Sequence, residues 1–325
     1  MKLRASQRGL ALITAMLVVA IVATIAAYLS LGQQVWLRQV QNLVDRSQAN
    51  SMRHAALGFV GEFLRRQDTN SVDHLGEFWA TGLPPFPYEG GVITAQITDA
   101  QSFFNLNSLV RSNNVASVPD RDMFRRLLLS LKINQDLSEA LIDWIDNDQN
   151  ALPGGAEDVE YLASTRPYRT ANQLFTSIDE LRLVKGFEPE IVDQLRPYIT
   201  VLPQATAINV NTADQKVLEA LFNMPAGAGK ALVDTRKTKH FSAQADLQAA
   251  LPPGQQIPPT LTSLITYQTS FFQVTLNVQY GRWQRTTLAL IQRQAGGQQP
   301  GQASKVLWHQ PVYPKLPPDG EDKQT

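Results

Sequence analysis

Cysteine is absent from the sequence, and neither sign of charge is in excess. Without cysteine the chain has no thiol nucleophile, no cysteine ligand for zinc and no disulfide bond. Its 29 basic and 29 acidic residues give a formal net charge of zero. No overall field therefore attracts nucleic acid or anionic lipid, and either partner would need a local basic patch.

Histidine is scarce as well. The four histidines are His54, His74, His240 and His309. Their spacing matches no metal-ligand pattern, and we expect all of them to be surface or packing residues. No Ser/His/Asp or paired-carboxylate spacing suggests a catalytic site, which makes an enzyme the least favoured class of function.

An apolar run without any charged residue extends from Leu10 to Leu31. At a rise of 1.5 Å per residue, about 22 residues span roughly 33 Å, which is enough to cross a bilayer core. The basic residues before the run are Lys2, Arg4 and Arg8. They predict a single-pass inner-membrane protein with residues 1–9 in the cytoplasm and most of the chain outside. An ordinary signal anchor and a signal peptide cut near Ala26–Ala27 are the alternatives, and the length of the run argues against the second.

Apolar residues continue beyond the run at helical spacing and without a breaker. They are Trp36, Val40, Leu43, Met52, Ala56, Phe59 and Phe63. The pattern predicts one helix from Leu10 to about Arg66, on the order of 57 residues and 85 Å long. Its outer half is apolar, and its inner half is amphipathic and can pack on a globular head. Gly32 is the one weak point.

The residues around Gly9 resemble a type IV prepilin leader: Gln7-Arg8-Gly9 is followed by the apolar stretch that begins at Leu10. In that family a prepilin peptidase cuts after the glycine, and the hydrophobic helix is kept. The resemblance implies that residues 1–9 are a leader, that the chain is cut between Gly9 and Leu10, and that Leu10 is N-methylated.

Thr14 stands at the fifth mature position, where most pilins carry glutamate. A carboxylate in hydrocarbon is tolerable when it pairs with a cation, which the family takes to be the terminal amine of an adjacent subunit. A subunit with nothing above it has no such partner. The loss therefore suits a filament tip and resembles the K-type minor pseudopilins of type II secretion systems. Simple drift at this position is the alternative.

Alternating residues predict a small antiparallel sheet. Tyr88–Asp99 opens with a Gly-Gly turn and alternates as a half-buried strand does. Every even position from Phe272 to Tyr280 is apolar, and Gly281-Arg282 then forms a turn to a second strand, Trp283–Gln292. Lys305–His309 is a candidate third strand. The Gln-, Gly- and Pro-rich sequence from Gly296 onward predicts disorder at both ends of that strand.

Between these strands the pattern is helical almost throughout, which indicates a helical insertion into the sheet. Helices are predicted near 120–132, 136–146, 177–198, 212–222, 227–238 and 243–250. The fold class is α+β, with a type IV pilin-like long N-terminal helix packed on a small antiparallel sheet and a large inserted all-α domain of helix-hairpin-helix or SAM-like type. The predicted domains are a leader (1–9), a transmembrane and amphipathic helix (10–66), a pilin-like α/β domain (67–104 and 268–310), the insertion (105–267) and a disordered tail (311–325).

The order of these elements is similar to that of K-type pseudopilins over most of the chain. The local phrases that carry the resemblance are Phe104-Asn-Leu-Asn107, Asp143-Trp-Ile-Asp146, Gly154-Gly-Ala-Glu-Asp158 and Leu181-Arg-Leu-Val-Lys-Gly186. The resemblance implies a periplasmic head that initiates pseudopilus assembly at the tip, for export of folded proteins. It also implies as partners the I- and J-type minor pseudopilins, the major pseudopilin and the prepilin peptidase.

Two segments of the insertion share a capping-box pattern, Ser177-Ile-Asp-Glu180 and Thr212-Ala-Asp-Gln215, each predicted to open a helix. The second continues to Gly227-Ala-Gly-Lys230 and resembles the helix-hairpin-helix of nonspecific DNA-binding and DNA-uptake proteins, in which main-chain N–H groups hold a phosphate. The basic run Arg236–His240 could add phosphate contacts. A membrane-anchored DNA-binding protein is thus the alternative function. The zero net charge favours a compact interaction domain and makes nucleic acid an unlikely partner.

An acidic loop follows the second predicted helix of the insertion. Asp146, Asp148, Asn150 and Glu157 stand at the first, third, fifth and twelfth positions of an EF-hand-like loop. The loop departs from the EF-hand at the sixth position, where Ala151 replaces glycine. Side chains near enough to join or replace members of the set are Asp143 and Asp158.

With no Lys or Arg among them, these residues repel one another unless a cation neutralises them. A solvated acidic loop that caps the next helix is the alternative. The resemblance to K-type pseudopilins, which bind calcium in this domain, implies one or two calcium ions.

Overall fold

A 59-residue helix and a five-stranded antiparallel sheet form the body of the protein. The computed structural model describes residues 8–66, 72–111, 114–293 and 304–312. The helices are α1 (Arg8–Arg66), α2 (Val118–Ser130), α3 (Leu137–Ile145), α4 (Asp158–Leu162), α5 (Pro189–Leu195), α6 (Gln215–Phe222), α7 (Lys230–Thr238) and α8 (Gln244–Ala250). The strands are β1 (Leu83–Tyr88), β2 (Gly91–Asp99), β3 (Phe104–Asn105), β4 (Ile199–Thr200), β5 (Ile208–Asn209), β6 (Ile265–Thr266), β7 (Phe271–Tyr280), β8 (Trp283–Gln292) and β9 (Lys305–Val312).

The long helix α1 confirms the expectation of one uninterrupted helix, and it passes through Gly32 without a break. From Leu12 to Val44 every residue is exposed, and a window of this half has a mean hydropathy of 2.5. The helix is therefore a candidate membrane anchor. The last two residues of the predicted leader, Arg8 and Gly9, are the first residues of α1. Residues 1–7 lie outside the described part of the chain.

The inner half of α1 packs on the sheet. Ala49, Met52, Ala56 and Val60 are buried on the face toward β7. The alternation predicted for β7 is confirmed, because its even positions from Phe272 to Val278 are buried in the same core and Tyr280 packs against that core. At Gly91 an added Cβ would lie 2.6 Å from both the Met52 side chain and the Gln279 carbonyl oxygen, so only glycine permits this approach of β2 to the helix.

The sheet runs in the order β1-β2-β7-β8-β9, with every neighbouring pair antiparallel. The strand predicted at Tyr88–Asp99 is β2 and begins only at Gly91, because Glu89 and Gly90 form the turn from β1, with φ values of 47° and 83°. The last strand continues to Val312, so the expected tail boundary at 311 falls inside β9. Residues 313–325, and the Gly296 segment before β9, lie outside the described part.

The insertion leaves the body after β2 and returns at β7, as the sequence indicates. It has its own core around Phe124, Leu141 and Val217. Two pairs of very short parallel strands, β3 with β4 and β5 with β6, also belong to this region and had no signal in the sequence. The α+β class with a mainly helical insert is confirmed.

Two predicted helices of the insert need correction. The segment 177–198 is a 3-10 helix, Ile178–Leu183, followed by α5, because Gly186 has φ +83° and Pro189 starts a new helix. The capping box at Ser177 is present, with Glu180 accepting from the Ser177 N–H. The box predicted at Thr212 is wrong. Asp214 caps α6 instead.

A buried polar network joins the insert to the body. Asp99, at the end of β2, accepts hydrogen bonds from Gln101 N (2.7 Å), Thr212 Oγ1 (2.6 Å), Asn209 Nδ2 (2.9 Å) and Thr269 Oγ1 (2.5 Å). Burial raises the pKa of Asp99 to about 6, although these hydrogen bonds oppose the shift.

Beside this network, Arg293 and Asp73 form a buried ion pair. Asn209 also donates to the Asp73 carbonyl oxygen at 3.1 Å. Residues near both connections between the insert and the sheet thus share one set of buried hydrogen bonds, which holds the insert against the sheet.

Candidate metal centre and partner surfaces

Three carboxylates of the acidic loop lie close together: an oxygen of each of Asp146, Asp148 and Glu157 lies within 4.8 Å of the others. Asp146 ends α3 with extended backbone angles. Asp148 then accepts a hydrogen bond from the Asn150 N–H at 2.8 Å and turns the chain. Gly154, with φ +94°, then turns the chain back toward the loop, and Glu157 directly precedes α4.

The cluster contains buried oxygens without hydrogen-bond partners. Within the described residues, Oδ1 of Asp146 and both Oε atoms of Glu157 have none, and these residues are 8% and 2% exposed. Burial raises the pKa of Glu157 to about 7, and repulsion from Asp143 and Asp146 adds to the effect. Burial likewise raises the pKa of Asp146 to about 6, with Asp148 contributing.

Such orphaned acceptors are costly unless something neutralises them. Carboxylate oxygens are the ligands of hard divalent cations, and calcium accepts the irregular geometry of a loop. The donor set therefore fits the calcium that the sequence suggested.

Asp143 lies behind the cluster and shapes the loop. It is completely buried, and its two oxygens accept from Leu152 N at 3.3 and 3.1 Å. A Cβ on Gly155 would lie 1.9 Å from Asp143 Oδ2, so this glycine lets the loop close over the carboxylate. Burial raises the pKa of Asp143 to about 6.

The other two predicted ligands are placed differently. Asp158 accepts from Arg169 Nη1 at 2.9 Å and from Thr170 N and Oγ1 at 3.0 Å each, so it holds the segment after α4. Asn150 is exposed. Of the six candidates, the structure thus brings three carboxylates together, with Asp143 beside them.

Two supporting residues escaped the sequence reasoning because both act over long distances in the chain. Lys185 Nζ donates to the Gly155 carbonyl oxygen at 3.2 Å. Asn114 Oδ1 accepts from Asn147 N at 3.0 Å. Each ties a different part of the insert to the acidic loop, and neither has a recognisable local motif.

The helical hairpin places a carboxylate where the DNA-binding interpretation needs a phosphate. Glu219 Oε1, from α6, accepts from Gly227 N at 2.8 Å, Gly229 N at 3.2 Å and Gln215 Nε2 at 2.8 Å. These glycine N–H groups precede α7 and are the groups that would hold a phosphate. Because the protein's own carboxylate satisfies them, this hairpin is arranged as a structural element.

The basic run after the hairpin is engaged within the protein. Lys237 Nζ pairs with Asp234 at 2.9 Å, and Lys239 Nζ pairs with Asp246 at 2.9 Å. Arg236 donates to the Val210 carbonyl oxygen at 2.9 Å. The positive charge of the run is thus largely offset by neighbouring groups.

The histidines meet in two pairs. His74 stacks on His240 with ring centroids 4.4 Å apart, and His54 lies edge-on to His309 at 6.0 Å. Both pairs are ring contacts between segments that are distant in the chain.

An apolar groove of about 450 Å³ lies between α1 and the β1–β2 hairpin. The aromatic side chains along it are Phe59, Phe78, Phe86 and Tyr88. Phe59 is 64% exposed and Phe86 is 60% exposed. Apolar surface of this kind typically marks a protein interface.

The residues of the predicted processing site lie at the start of α1. Gly9 and Leu10 are helical, and Leu10 is 70% exposed. Thr14 lies in the exposed, apolar half of the same helix.

Comparison with known proteins gives consistent matches along the chain. Two family models, both described as Type II secretion system (T2SS), protein K, match residues 102–204 and 208–266. Type II secretion system protein K of Pseudomonas aeruginosa is 37% identical over 314 residues, covering 91% of this chain and 91% of that protein. The protein of the same name from Pectobacterium carotovorum is 34% identical, covering 91% of this chain and 98% of that protein. In the crystal structure of the GspK-GspI-GspJ complex from enterotoxigenic Escherichia coli, one chain matches with a TM-score of 0.68 and 28% identity, over 87% of this chain and 99% of that chain.

Proposed function

Because the chain belongs to the type II secretion system protein K family, we propose that it is the minor pseudopilin at the tip of the pseudopilus. There it initiates assembly with sibling minor pseudopilins, for export of folded proteins from the periplasm. The observation that carries this proposal is the position of the insert, a second domain with its own core attached where β2 ends and β7 begins. Repeated along a tightly packed filament, such a domain would collide with its neighbours, which favours a single copy at one end.

The apolar groove beside α1 supplies the contact surface in this proposal. It combines the exposed Phe59 with the aromatic side chains of the β1–β2 hairpin. A complementary apolar helix face of a sibling, of the I or J type, would cover it and remove its aromatic surface from water. The major pseudopilin would then add below this starting complex.

Thr14 supports the same position. A glutamate there would be a carboxylate inside hydrocarbon, costing about 2.5–3.5 kcal/mol on insertion scales unless a cation neutralised it. Threonine removes that requirement, which suits a subunit with no neighbour above it.

The proposal includes processing by the prepilin peptidase and a single orientation in the inner membrane. Cleavage after Gly9 would leave a methylated Leu10 in the membrane, with the body and insert in the periplasm. Mass spectrometry of the protein co-expressed with the peptidase measures this directly. An intact Met1, or a cut near Ala27, would contradict it.

We also propose that the acidic loop binds calcium, one or two ions. Asp146, Asp148 and Glu157 would hold the ion, and Asp143 would keep the loop in shape. The support is the set of buried carboxylate oxygens that lack partners. The ion would supply positive charge and so hold the loop against α3 and α4.

The decisive experiment is assembly of the full-length protein with its two siblings in detergent. We expect a complex that Phe59→Asp disrupts. The matched control is Leu129→Asp on the insert, since Leu129 is 59% exposed and lies outside the groove. Labelling of purified filaments should find the protein at an end. Regular labelling along the filament, or normal secretion after deletion of the protein, would refute the tip position.

A further inference from the structure

Four basic side chains meet at the edge of the sheet opposite the groove. This basic cluster consists of Arg53 and His54 of α1, Arg285 of β8 and His309 of β9. Arg53 Nη1 lies 3.1 and 3.2 Å from the two ring nitrogens of His309, one of which can accept its hydrogen bond, and Arg53 Nη2 donates to His54 Nε2 at 3.0 Å. The groove lies beside β1 and the cluster beside β9, and these strands are the two edges of the sheet.

Among the described residues, no carboxylate forms an ion pair with Arg53 or Arg285. Burial and the charge of Arg285 both lower the pKa of Arg53. Burial, Arg53 and His54 likewise lower the pKa of His309. Because His54 and His309 accept from Arg53, the positive charge of the cluster is carried by Arg53 and Arg285, which repel each other.

Other basic side chains of the protein show the opposite arrangement. Arg65 and Arg66 share Glu62, and Lys230 and Lys237 share Asp234. A cluster of like charge without a counter-ion is stabilised when an anionic group arrives from another molecule.

The position of the cluster excludes a lipid headgroup as that anion. Arg53 lies 22 residues beyond Leu31, where the apolar run ends, which places it about 33 Å further along a straight helix. A headgroup of the membrane that α1 crosses lies far from this point. A carboxylate-bearing protein at the side of α1 has direct access.

We propose that the basic cluster binds a carboxylate-bearing segment of one sibling pilin-like subunit, while the apolar groove binds the other sibling. This inference rests on the proposed function, since it assumes assembly with two siblings. The two surfaces flank the same turns of α1 but differ in chemistry. Each sibling is thereby directed to one side, because an acidic face is excluded from the groove and an apolar face leaves the cations unpaired.

The test uses the full-length protein in detergent and measures the affinity of each sibling separately. Arg53→Glu with Arg285→Glu should weaken one sibling by about tenfold or more and leave the other unchanged. For the affected sibling, the affinity of the wild type should fall as salt is raised from about 50 to 500 mM, because the Debye length shortens over that range. The matched control is Arg182→Glu, an exposed arginine of the insert, which should change neither affinity.

Restoration completes the test. An Asp→Arg or Glu→Arg change at the acidic contact of the affected sibling should recover binding to the Arg53→Glu, Arg285→Glu variant. The neutral pair Arg53→Gln, Arg285→Gln should not lower the thermal midpoint, because it relieves repulsion, and this separates lost binding from misfolding.

The outcomes distinguish this inference from the function on which it rests. If both siblings bind the wild type but neither responds to charge reversal or salt, the inference is overturned and the proposed function stands. If neither sibling binds the wild type, the proposed function fails. Binding of anionic vesicles that is lost on charge reversal, with sibling binding unaffected, would also overturn the inference.

Discussion

Glu157→Gln should have opposite effects on stability with and without calcium. This substitution keeps the shape of the side chain and removes its charge. Glu157 is 2% exposed, and neither of its carboxylate oxygens has a hydrogen-bond partner within the described residues. Burial raises its pKa to about 7, so the folded protein holds a proton on this group more tightly than the unfolded chain does.

The sign of the pH dependence follows from linkage. Because the folded state binds more protons, stability without calcium falls as the pH rises from the ordinary value of 4.5 through about 7. Above that range Glu157 is charged, and the folded state bears the full cost. The pKa difference between 4.5 and about 7 corresponds to at most about 3.4 kcal/mol, and solvent screening of part of the charge lowers this to about 1–2 kcal/mol. Glu157→Gln should remove this cost in EDTA at pH 8.

Calcium should reverse the effect. A ligand that binds only the folded state adds RT ln(1 + [L]/Kd), about 2.7 kcal/mol at a concentration one hundred times Kd. The wild type gains this stability, whereas Glu157→Gln lacks one of the three clustered carboxylates and gains less. The variant should therefore be more stable than the wild type in EDTA and less stable in millimolar calcium.

The assay is chemical unfolding monitored by hydrogen exchange in residues 143–162, because this segment contains the acidic loop. Asp158→Asn is the control. Asp158 binds Arg169 and Thr170, so its loss should lower stability in EDTA as well as in calcium. If Glu157→Gln were destabilising in EDTA as well, the electrostatic reasoning would be refuted. If calcium left both proteins unchanged, the site itself would be refuted.

Three further predictions concern the packing of the body and insert. Arg293→Met should lower the free energy of unfolding by about 3–5 kcal/mol, because it leaves Asp73 buried without its cation, and a change within error in a urea titration would contradict this. Glu219→Ala should lower the free energy of unfolding by about 1–3 kcal/mol, because it leaves the N–H groups of Gly227 and Gly229 unsatisfied. Glu219→Gln should lower it less in the same titration, and equal losses would contradict a stabilising role for these hydrogen bonds. Gly91→Ala should lower the thermal midpoint because its Cβ meets Gln279 and Met52, whereas Gly58→Ala, with open space around it, should raise it or leave it unchanged.

The sequence predicts well those elements whose signal is local. The alternation along β7 and β8 and the turn at Gly281 correspond directly to the observed hairpin. The first strand was missed because β1 contains three prolines in six residues, which argues against a strand except at a sheet edge, and the edge is where β1 lies. The capping box at Thr212 failed for a tertiary reason: its hydroxyl donates to Asp99, 113 positions away in the chain.

The candidate site divides in the same way. Asp146, Asp148 and Glu157 are close in sequence, and their spacing predicts their convergence. Asp158 is equally close in sequence but is held by Arg169 and Thr170, which no local pattern indicates. The basic cluster joins Arg53 to His309 across 256 positions, so only the folded sheet reveals it.

The order of the strands has a consequence for how this architecture could arise and be rebuilt. With the insert set aside, β1, β2, β7, β8 and β9 follow one another in space as they do along the chain. Asp99 and Phe272, on either side of the insert, are directly paired neighbours in the sheet. A tight turn could therefore join β2 to β7 and regenerate the strand order of a simple meander. The same attachment point could carry a foreign domain whose two ends lie side by side.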